Sequence, residues 1–476
     1  MKYCNSVFFI LLSAFILWRL EDINLPFFWD ETGVYVKAIA YMYKHSISLM
    51  PQSMPSELSR GHPLLFVFIH SLLVRTFGFH IWLLHTIALF ISAATLITVF
   101  LLGKKVLSPI VGLTAAVLLA VQPLFVAQSM MVLPEMLLTF LSILTIYFFI
   151  NKKRSLYLIA CSLALLTKES AIILPFTLFS AHIFYNYWGY TDTKPNFLKE
   201  TISKSWILSP LIIFFTFLII QKLQMGWFFF PEHAGMITLY PKAILSKSFH
   251  ALIFLLLNQN RFLFIIPCLF ILYKLLSNIL IKRITTKQDY LILILLSFFI
   301  GAVLFASINV MMNRYLLYLL PPISIMAACG LEVLFRNERF VVGAVFLLAT
   351  ISLSFSKDNK FVYDESLDYK DEVLVQKQAT GYLETHNLYH SAIFTNYPIY
   401  HGLEDTCLGY LSANMTFDNV ISPDNSSYGK LKTDSIQWVV IYDPQNFNLK
   451  EIPYKLGLII TYKSSYAQIN IYRTIK

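Results

Sequence analysis

Two adjacent carboxylates, Asp30 and Glu31, stand in the stretch Phe27-Phe28-Trp29-Asp30-Glu31-Thr32-Gly33-Val34-Tyr35, between an aromatic run and a segment with helical periodicity. They follow the first hydrophobic segment, at a water–lipid boundary, where an acid stays ionised and still reaches a substrate held in the bilayer. Such a pair offers a general base: one carboxylate takes a proton from an acceptor hydroxyl while the other orients it or repels it into readiness. The plainer reading is a solvated helix start with Asp30 as its N-cap. Two features favour chemistry. Arg60-Gly61-His62-Pro63-Leu64-Leu65 follows about thirty residues on, and an isolated acid, Glu135, opens a later apolar segment.

Ionisable groups near a bilayer are costly, so each is a functional candidate. Glu135 either joins the acids or marks a helix start after Pro134. Arg314, in Asn313-Arg314-Tyr315-Leu316-Leu317, opens another apolar segment; its guanidinium either holds a lipid phosphate bidentately or snorkels to the interface. Lys168 has the same two readings, with Glu169 as a structural partner. His62, before Pro63, binds substrate or caps the next helix. Tyr315, Trp227 and Phe228 are candidates for stacking on a sugar or lining a lipid groove, although belts of interfacial aromatics are the commoner use. Asp30 and Glu135 could also share a divalent cation, but nothing in their spacing demands a metal. No Walker-type phosphate loop, GxSxG or clustered His/Cys signature is present. That disfavours nucleotide-driven pumps and serine hydrolases and suits an enzyme whose donor is already activated.

The elements that must position these groups are membrane spans. The chain has 476 residues, 57% hydrophobic and only 13% charged, against about 25% charged in a soluble domain. The net charge of +10 does not point to nucleic acid. Much of it sits in short clusters such as Lys104-Lys105 and Lys152-Lys153-Arg154 between apolar runs, where lysine and arginine mark cytoplasmic turns. Residues 5–18 read as an uncleaved first span. A polar stretch over 19–61 follows as an outer loop, with an amphipathic surface helix over 31–45. Apolar runs follow at about 63–78, 80–102, 107–126 and 133–150. Placing Asp30 outside and both basic clusters inside requires that 63–78 be re-entrant or interfacial, which puts Glu135 on the face of Asp30. Residues 156–184 exceed the ~20 that a span needs and are interrupted at Thr167-Lys168-Glu169-Ser170, so a broken helix or tight hairpin is expected. Further apolar stretches lie near 205–222, 249–276, 288–309, 315–334 and 338–355. At about residue 357 the composition turns polar. Strand-like runs at 391–395, 437–442, 456–462 and 466–473, after a helix at about 370–386, predict a small α/β domain over 357–476.

Taken together, these motifs resemble the GT-C glycosyltransferases. The pattern is Trp29-Asp30-Glu31 after the first span, Gly61-His62-Pro63-Leu64-Leu65, Glu135, Leu165-Leu166-Thr167-Lys168-Glu169, and Arg314-Tyr315-Leu316-Leu317 with Pro321-Pro322. Over roughly residues 1–355 the chain is most similar to the branch of protein mannosyltransferases and aminoarabinose transferases (glycosyltransferase family 39-like). The family commonly has His-Pro-Pro-Leu where this chain has His62-Pro63-Leu64-Leu65, and aspartate where Glu135 stands.

The resemblance implies a polytopic α-helical membrane protein of GT-C fold over 1–356, with the C-terminal α/β domain outside the cytoplasm of a bacterial inner or plasma membrane. It implies inverting transfer of a sugar from a polyprenyl-phosphate donor to a hydroxyl of a lipid, glycan or protein. Asp30 would be the base with Glu31 beside it, Arg314 and Lys168 would hold the leaving phosphate, and His62, Glu135 and Tyr315 would line the substrate. A polysaccharide ligase or polymerase would share this topology, and a lipid-linked sugar flippase or transporter would also have broken helices and buried charge.

Overall fold

The computed structural model describes residues 3–475 apart from 189–196, 282–285, 355–363, 414, 424–435, 444, 446, 448–451 and 453. Among the described residues, five helices are long and apolar enough to cross a bilayer: Cys4–Asp22, Ile81–Val106, Arg261–Leu280, Lys287–Ile308 and Asn313–Phe335. The pair Thr201–Leu208 and Leu211–Met225, bent by 48°, passes the same test as one broken span. At about 1.5 Å per residue these lengths approach or exceed the ~30 Å hydrocarbon layer. The protein is an integral, multi-pass membrane protein.

Shorter apolar helices fill the space between the spans. Leu65–Phe77 has 13 residues, about 20 Å, too short to cross alone. It buries His70 and Ser71, and Ser71 Oγ donates to the Ile39 carbonyl at 3.2 Å. This suits the re-entrant or interfacial role expected for 63–78. The 31–45 segment is a π-helical turn over Glu31–Tyr35 followed by an α-helix over Val36–Lys44. Its apolar residues Val36, Ala38, Ile39 and Met42 are fully covered, so this helix packs into the protein rather than only resting on lipid.

The interruption expected near Lys168 is present. Arg154–Thr167 ends there, a short 3-10 turn covers Glu169–Ile172, and Ile173–Trp188 continues. Two other apolar runs are less continuous than their composition suggested. The 107–126 run breaks between Pro109–Ala120 and Pro123–Gln128, at Pro123. The 249–276 run is two helices, Pro241–Leu256 and Ile265–Leu280. Between them Gln259 and Asn260 take positive φ, and the buried Arg261 donates from Nε to the Phe254 carbonyl at 3.1 Å. Close helix contact elsewhere depends on a small residue. A Cβ on Gly330 would lie 2.0 Å from the Pro267 carbonyl oxygen, so the helices Asn313–Phe335 and Arg261–Leu280 approach backbone to backbone.

The polar tail forms a five-stranded sheet after a helix over Tyr369–Thr385. The strands are β1 (Ala392–Thr395), β2 (Asn419–Ile421), β3 (Trp438–Tyr442), β4 (Lys455–Lys463) and β5 (Gln468–Ile475), in spatial order β2-β1-β3-β5-β4. β1 pairs parallel with β2 and β3, while β5 runs antiparallel to β3 and β4. Four strands and the helix match the expected runs; β2 and a helix over Ile399–Glu404 are additional.

The division by composition at residue 357 is not a division of packing. Tyr369, Val373, Leu408 and Tyr410 belong to the same apolar core as the membrane helices. Tyr410 also donates its hydroxyl to the Phe27 carbonyl at 2.8 Å.

Candidate active site

The short segment before the π-helical turn positions Asp30, and it is held from several sides. The Leu25 carbonyl is bonded by the His85 ring at 3.1 Å. The Phe27 backbone N–H donates to the Leu408 carbonyl at 3.1 Å. Trp29 has φ +49°, a left-handed conformation that is strained for a bulky residue and persists only where its surroundings impose it. A π-type turn directly after it, over Glu31–Tyr35, is itself a form enriched at functional sites.

Glu31 supplies part of that imposition. Its Oε2 accepts from the Phe28 N–H at 2.8 Å and its Oε1 from the Val132 N–H at 2.6 Å. Burial pushes this carboxyl up to about 8, against the pull of the two N–H donors. Both oxygens are committed to backbone, so Glu31 ties the Asp30 loop to the segment before Pro134. Its oxygens face these two N–H groups, whereas Asp30 faces Arg314.

Asp30, Arg314, Glu135 and Lys168 form one chain of charges. The Arg314 guanidinium donates from one terminal nitrogen to Asp30 and from the other to Asp364. Its Nε lies 3.8 Å from Glu135 Oε1, and that oxygen accepts from Lys168 Nζ at 2.7 Å. Lys168 Nζ also sits 3.7 Å from the Tyr315 ring centroid, within cation–π range. The side chains of Arg314, Glu135 and Lys168 are 2%, 1% and 9% exposed, whereas Asp30 is 22% exposed, so Asp30 is the more open acid of this chain.

Arg314 therefore has carboxylates on both ends of its fork. In the structure these are Asp30 and Asp364. Lys168 is paired with Glu135, not with its neighbour Glu169. Glu169 instead meets His62, whose Nδ1 lies 3.0 and 2.9 Å from its two oxygens.

Two hollows flank the charges. One, of about 380 Å³, has walls that include Phe214, Phe230, Ile237 and Phe305 and a polar end with Arg60, His62, Lys168, Glu169, His233 and Tyr315. The other, of about 420 Å³, is lined by Trp29, His250, Asn313, Arg314, Asp364 and Glu365. Burial raises the Asp364 carboxyl even with the Arg314 guanidinium beside it, and burial raises Glu365 as well. Among the described residues no group of three or more His, Cys, Asp or Glu is placed to hold a metal ion. The guanidinium of Arg314 lies between Asp30 and Glu135, the two acids considered as cation ligands.

The residues that sequence reasoning missed are Asp364, Glu365, Arg60 and His233. A signal existed for the first two: Tyr363-Asp364-Glu365 follows the last apolar run much as Trp29-Asp30-Glu31 follows the first. For Arg60 the signal was its place directly before Gly61-His62-Pro63.

Comparisons with known proteins bear on the fold. Residues 61–220 match the family model described as dolichyl-phosphate-mannose-protein mannosyltransferase. No curated protein matches the chain by sequence. The structure is similar to that of ArnT from Cupriavidus metallidurans bound to undecaprenyl phosphate, with a TM-score of 0.62, 10% identity, and 98% of this chain and 97% of that one covered. For the apo state of ArnT the values are 0.59, 11%, and 98% of both chains. The apo oligosaccharyltransferase of Archaeoglobus fulgidus matches with a TM-score of 0.53 and 12% identity, over 92% of this chain and 70% of that one. The chain has the fold of the GT-C glycosyltransferases.

Proposed function

We propose that this protein is a membrane glycosyltransferase that moves a sugar from a polyprenyl-phosphate-linked donor to a hydroxyl of a lipid, glycan or protein acceptor on the non-cytoplasmic face. The observation that carries the reading is the position of Asp30. It is the most exposed carboxylate of a buried charge chain whose Arg314 lines one hollow and whose Lys168 lines the other, largely apolar one. An apolar hollow with Arg60 and Lys168 in its wall suits a lipid chain with a phosphate head. The mannosyltransferase family model and the undecaprenyl phosphate bound by ArnT support a donor of that kind.

In this mechanism Asp30 orients the acceptor hydroxyl and takes its proton as the new C–O bond forms. The bond from the anomeric carbon to the phosphate oxygen breaks on the opposite side, so a single displacement inverts that carbon. Lys168 and Arg60 offset the charge that gathers on the phosphate. Arg314 fixes Asp30. The helices Ile81–Val106 and Pro134–Ile150 both start near the Asp30 loop, at His85 and Glu135, and run toward Lys104-Lys105 and Lys152-Lys153 at their other ends. Basic clusters a helix length from Asp30 support placing Asp30 outside the cytoplasm.

The test is transfer by the purified protein from a panel of isotope-labelled polyprenyl-phosphate sugars into an envelope extract, with mass spectrometry of envelope glycans from cells with and without the gene. Label appearing in an acceptor supports the reading. Movement of intact donor across a proteoliposome membrane, with no transfer, would replace it with a transporter.

A further inference from the structure

The reaction proposed above leaves a second negative charge on the departing phosphate, and one side-chain pair lining the apolar hollow is placed to neutralise it. Arg60 and Gly61 take φ values of +47° and +73° in succession. A Cβ on Gly61 would meet a Trp227 ring atom at 2.9 Å and the Phe230 Cβ at 3.0 Å, so the turn sits tightly against the Trp227–Phe230 segment. The His62 N–H donates to the Ser59 carbonyl at 2.9 Å. From this fixed backbone the His62 ring reaches Glu169, at the break between two halves of an interrupted helix, directly after Lys168.

A carboxylate on Nδ1 sets the tautomer of an imidazole and stabilises its protonated form, leaving Nε2 as the working nitrogen. Four titratable or charged groups face this ring from the elements around it: Glu169, His233 with its ring centroid 5.2 Å away, Arg60 and Lys168. Of these four, Glu169 is the one acid, and it is the group bonded to the ring. The His62 and Glu169 side chains are 20% and 22% exposed, so the pair is open enough to exchange protons with water.

We propose that His62, oriented by Glu169, donates a proton from Nε2 to the departing phosphate. The inference rests on the glycosyltransferase reading. A polyprenyl-phosphate sugar is a phosphodiester with one negative charge. When the bond from the anomeric carbon to oxygen breaks, the electron pair stays on the phosphate oxygen, and the product is a monoester whose second pKa lies near about 6. A second charge developing beside an apolar wall is poorly solvated, and a proton from Nε2 cancels it. Neutral His62 then regains a proton from water, and Asp30 returns to water the proton it took from the acceptor hydroxyl. The two transfers balance, and the enzyme ends as it began.

The experiment has two arms, both on the full-length protein in detergent. In the first, the wild type, His62→Gln and Glu169→Gln are compared for transfer across a pH series. The wild type should lose kcat as pH rises and His62 deprotonates. Glu169→Gln should shift that alkaline limb. His62→Gln should abolish the limb and lower kcat by about 10²-fold or more. In the second arm undecaprenyl phosphate is the probe, and the titration of its bound phosphate is followed by phosphorus NMR. His62→Gln should bind the probe within about tenfold of wild type but shift the phosphate's titration midpoint.

An unchanged alkaline limb and an unchanged phosphate midpoint in His62→Gln, with normal binding, would overturn the His62 proposal while the glycosyltransferase reading stands. A wild type that neither binds undecaprenyl phosphate nor transfers from any donor would sink both.

Discussion

Arg314 holds Asp30 with one guanidinium nitrogen and Asp364 with the other, joining the loop after the first span to the segment after the last apolar helix through a single buried cation. The two acids are 334 residues apart in sequence and come from parts that composition alone assigned to different domains. Orientation of the proposed base is thereby linked to docking of the C-terminal part.

Arg314→Lys keeps the charge but offers no planar fork, so it cannot hold both acids in the same geometry. Transfer should fall by about 10²-fold, because Asp30 loses its orientation. Binding of undecaprenyl phosphate should change little, since Arg314 is occupied by carboxylates. Steady-state rates with a parallel lipid-binding measurement check this. A large loss of lipid binding with little change in turnover would return Arg314 to the phosphate.

Glu31→Gln replaces an acceptor of two backbone N–H bonds by an amide whose NH₂ faces one of them. The loss should be about 1–3 kcal/mol of stability, read as a lower melting temperature. The folded-state value near 8 lies above the unfolded 4.5, so the folded protein binds this proton more tightly. The stabilisation is complete below about pH 4.5 and is lost as pH rises through about 8. A melting-temperature profile over that window should slope downward in the wild type and be flatter in Glu31→Gln.

Lys168→Met leaves Glu135 buried without its closest cation and should destabilise by about 3–5 kcal/mol. Changing Glu135 to Gln in the same protein should recover a substantial part of that loss, because the two groups are in contact. Thermal melts of the two singles and the double complete the cycle; additive losses would mean that the pair is not coupled.

Tyr410→Phe removes the hydroxyl that bonds the Phe27 carbonyl and should cost about 0.5–1.5 kcal/mol. Its informative effect is on transfer. If the C-terminal part holds the Asp30 loop, kcat should drop severalfold while apparent donor affinity is retained. A change in melting temperature alone would limit Tyr410 to a packing role.

Much of the membrane part was legible because charge is rare in it. Asp30, Glu135, Lys168 and Arg314 are conspicuous against apolar neighbours, and the structure brings all four together. The break at Lys168 showed as an apolar run too long for one span. The alternating runs of β1, β3, β4 and β5 stood out from the helical periodicity before them. Pairing was not legible, because nothing local says that Lys168 meets Glu135 across 33 residues while Glu169 turns to His62 across 107.

The difference between Asp30 and Glu31 was hidden for a related reason. It depends on a π-type turn that swings Glu31 onto the Val132 backbone, a tertiary contact with no sequence period. The break over Asn258-Gln259-Asn260 is masked by the apolar runs on both sides of it. Strand β2, with three residues, is too short to show alternation.

The most direct test of the account is transfer by Asp30→Asn. The change is nearly isosteric and keeps a hydrogen-bonding side chain beside Arg314, but it removes the proton acceptor. With folding confirmed by thermal melt and undecaprenyl phosphate binding retained, transfer should fall by about 10²–10⁴-fold. Transfer at the wild-type rate by a folded Asp30→Asn protein would contradict the account and leave Asp30 as a structural partner of Arg314.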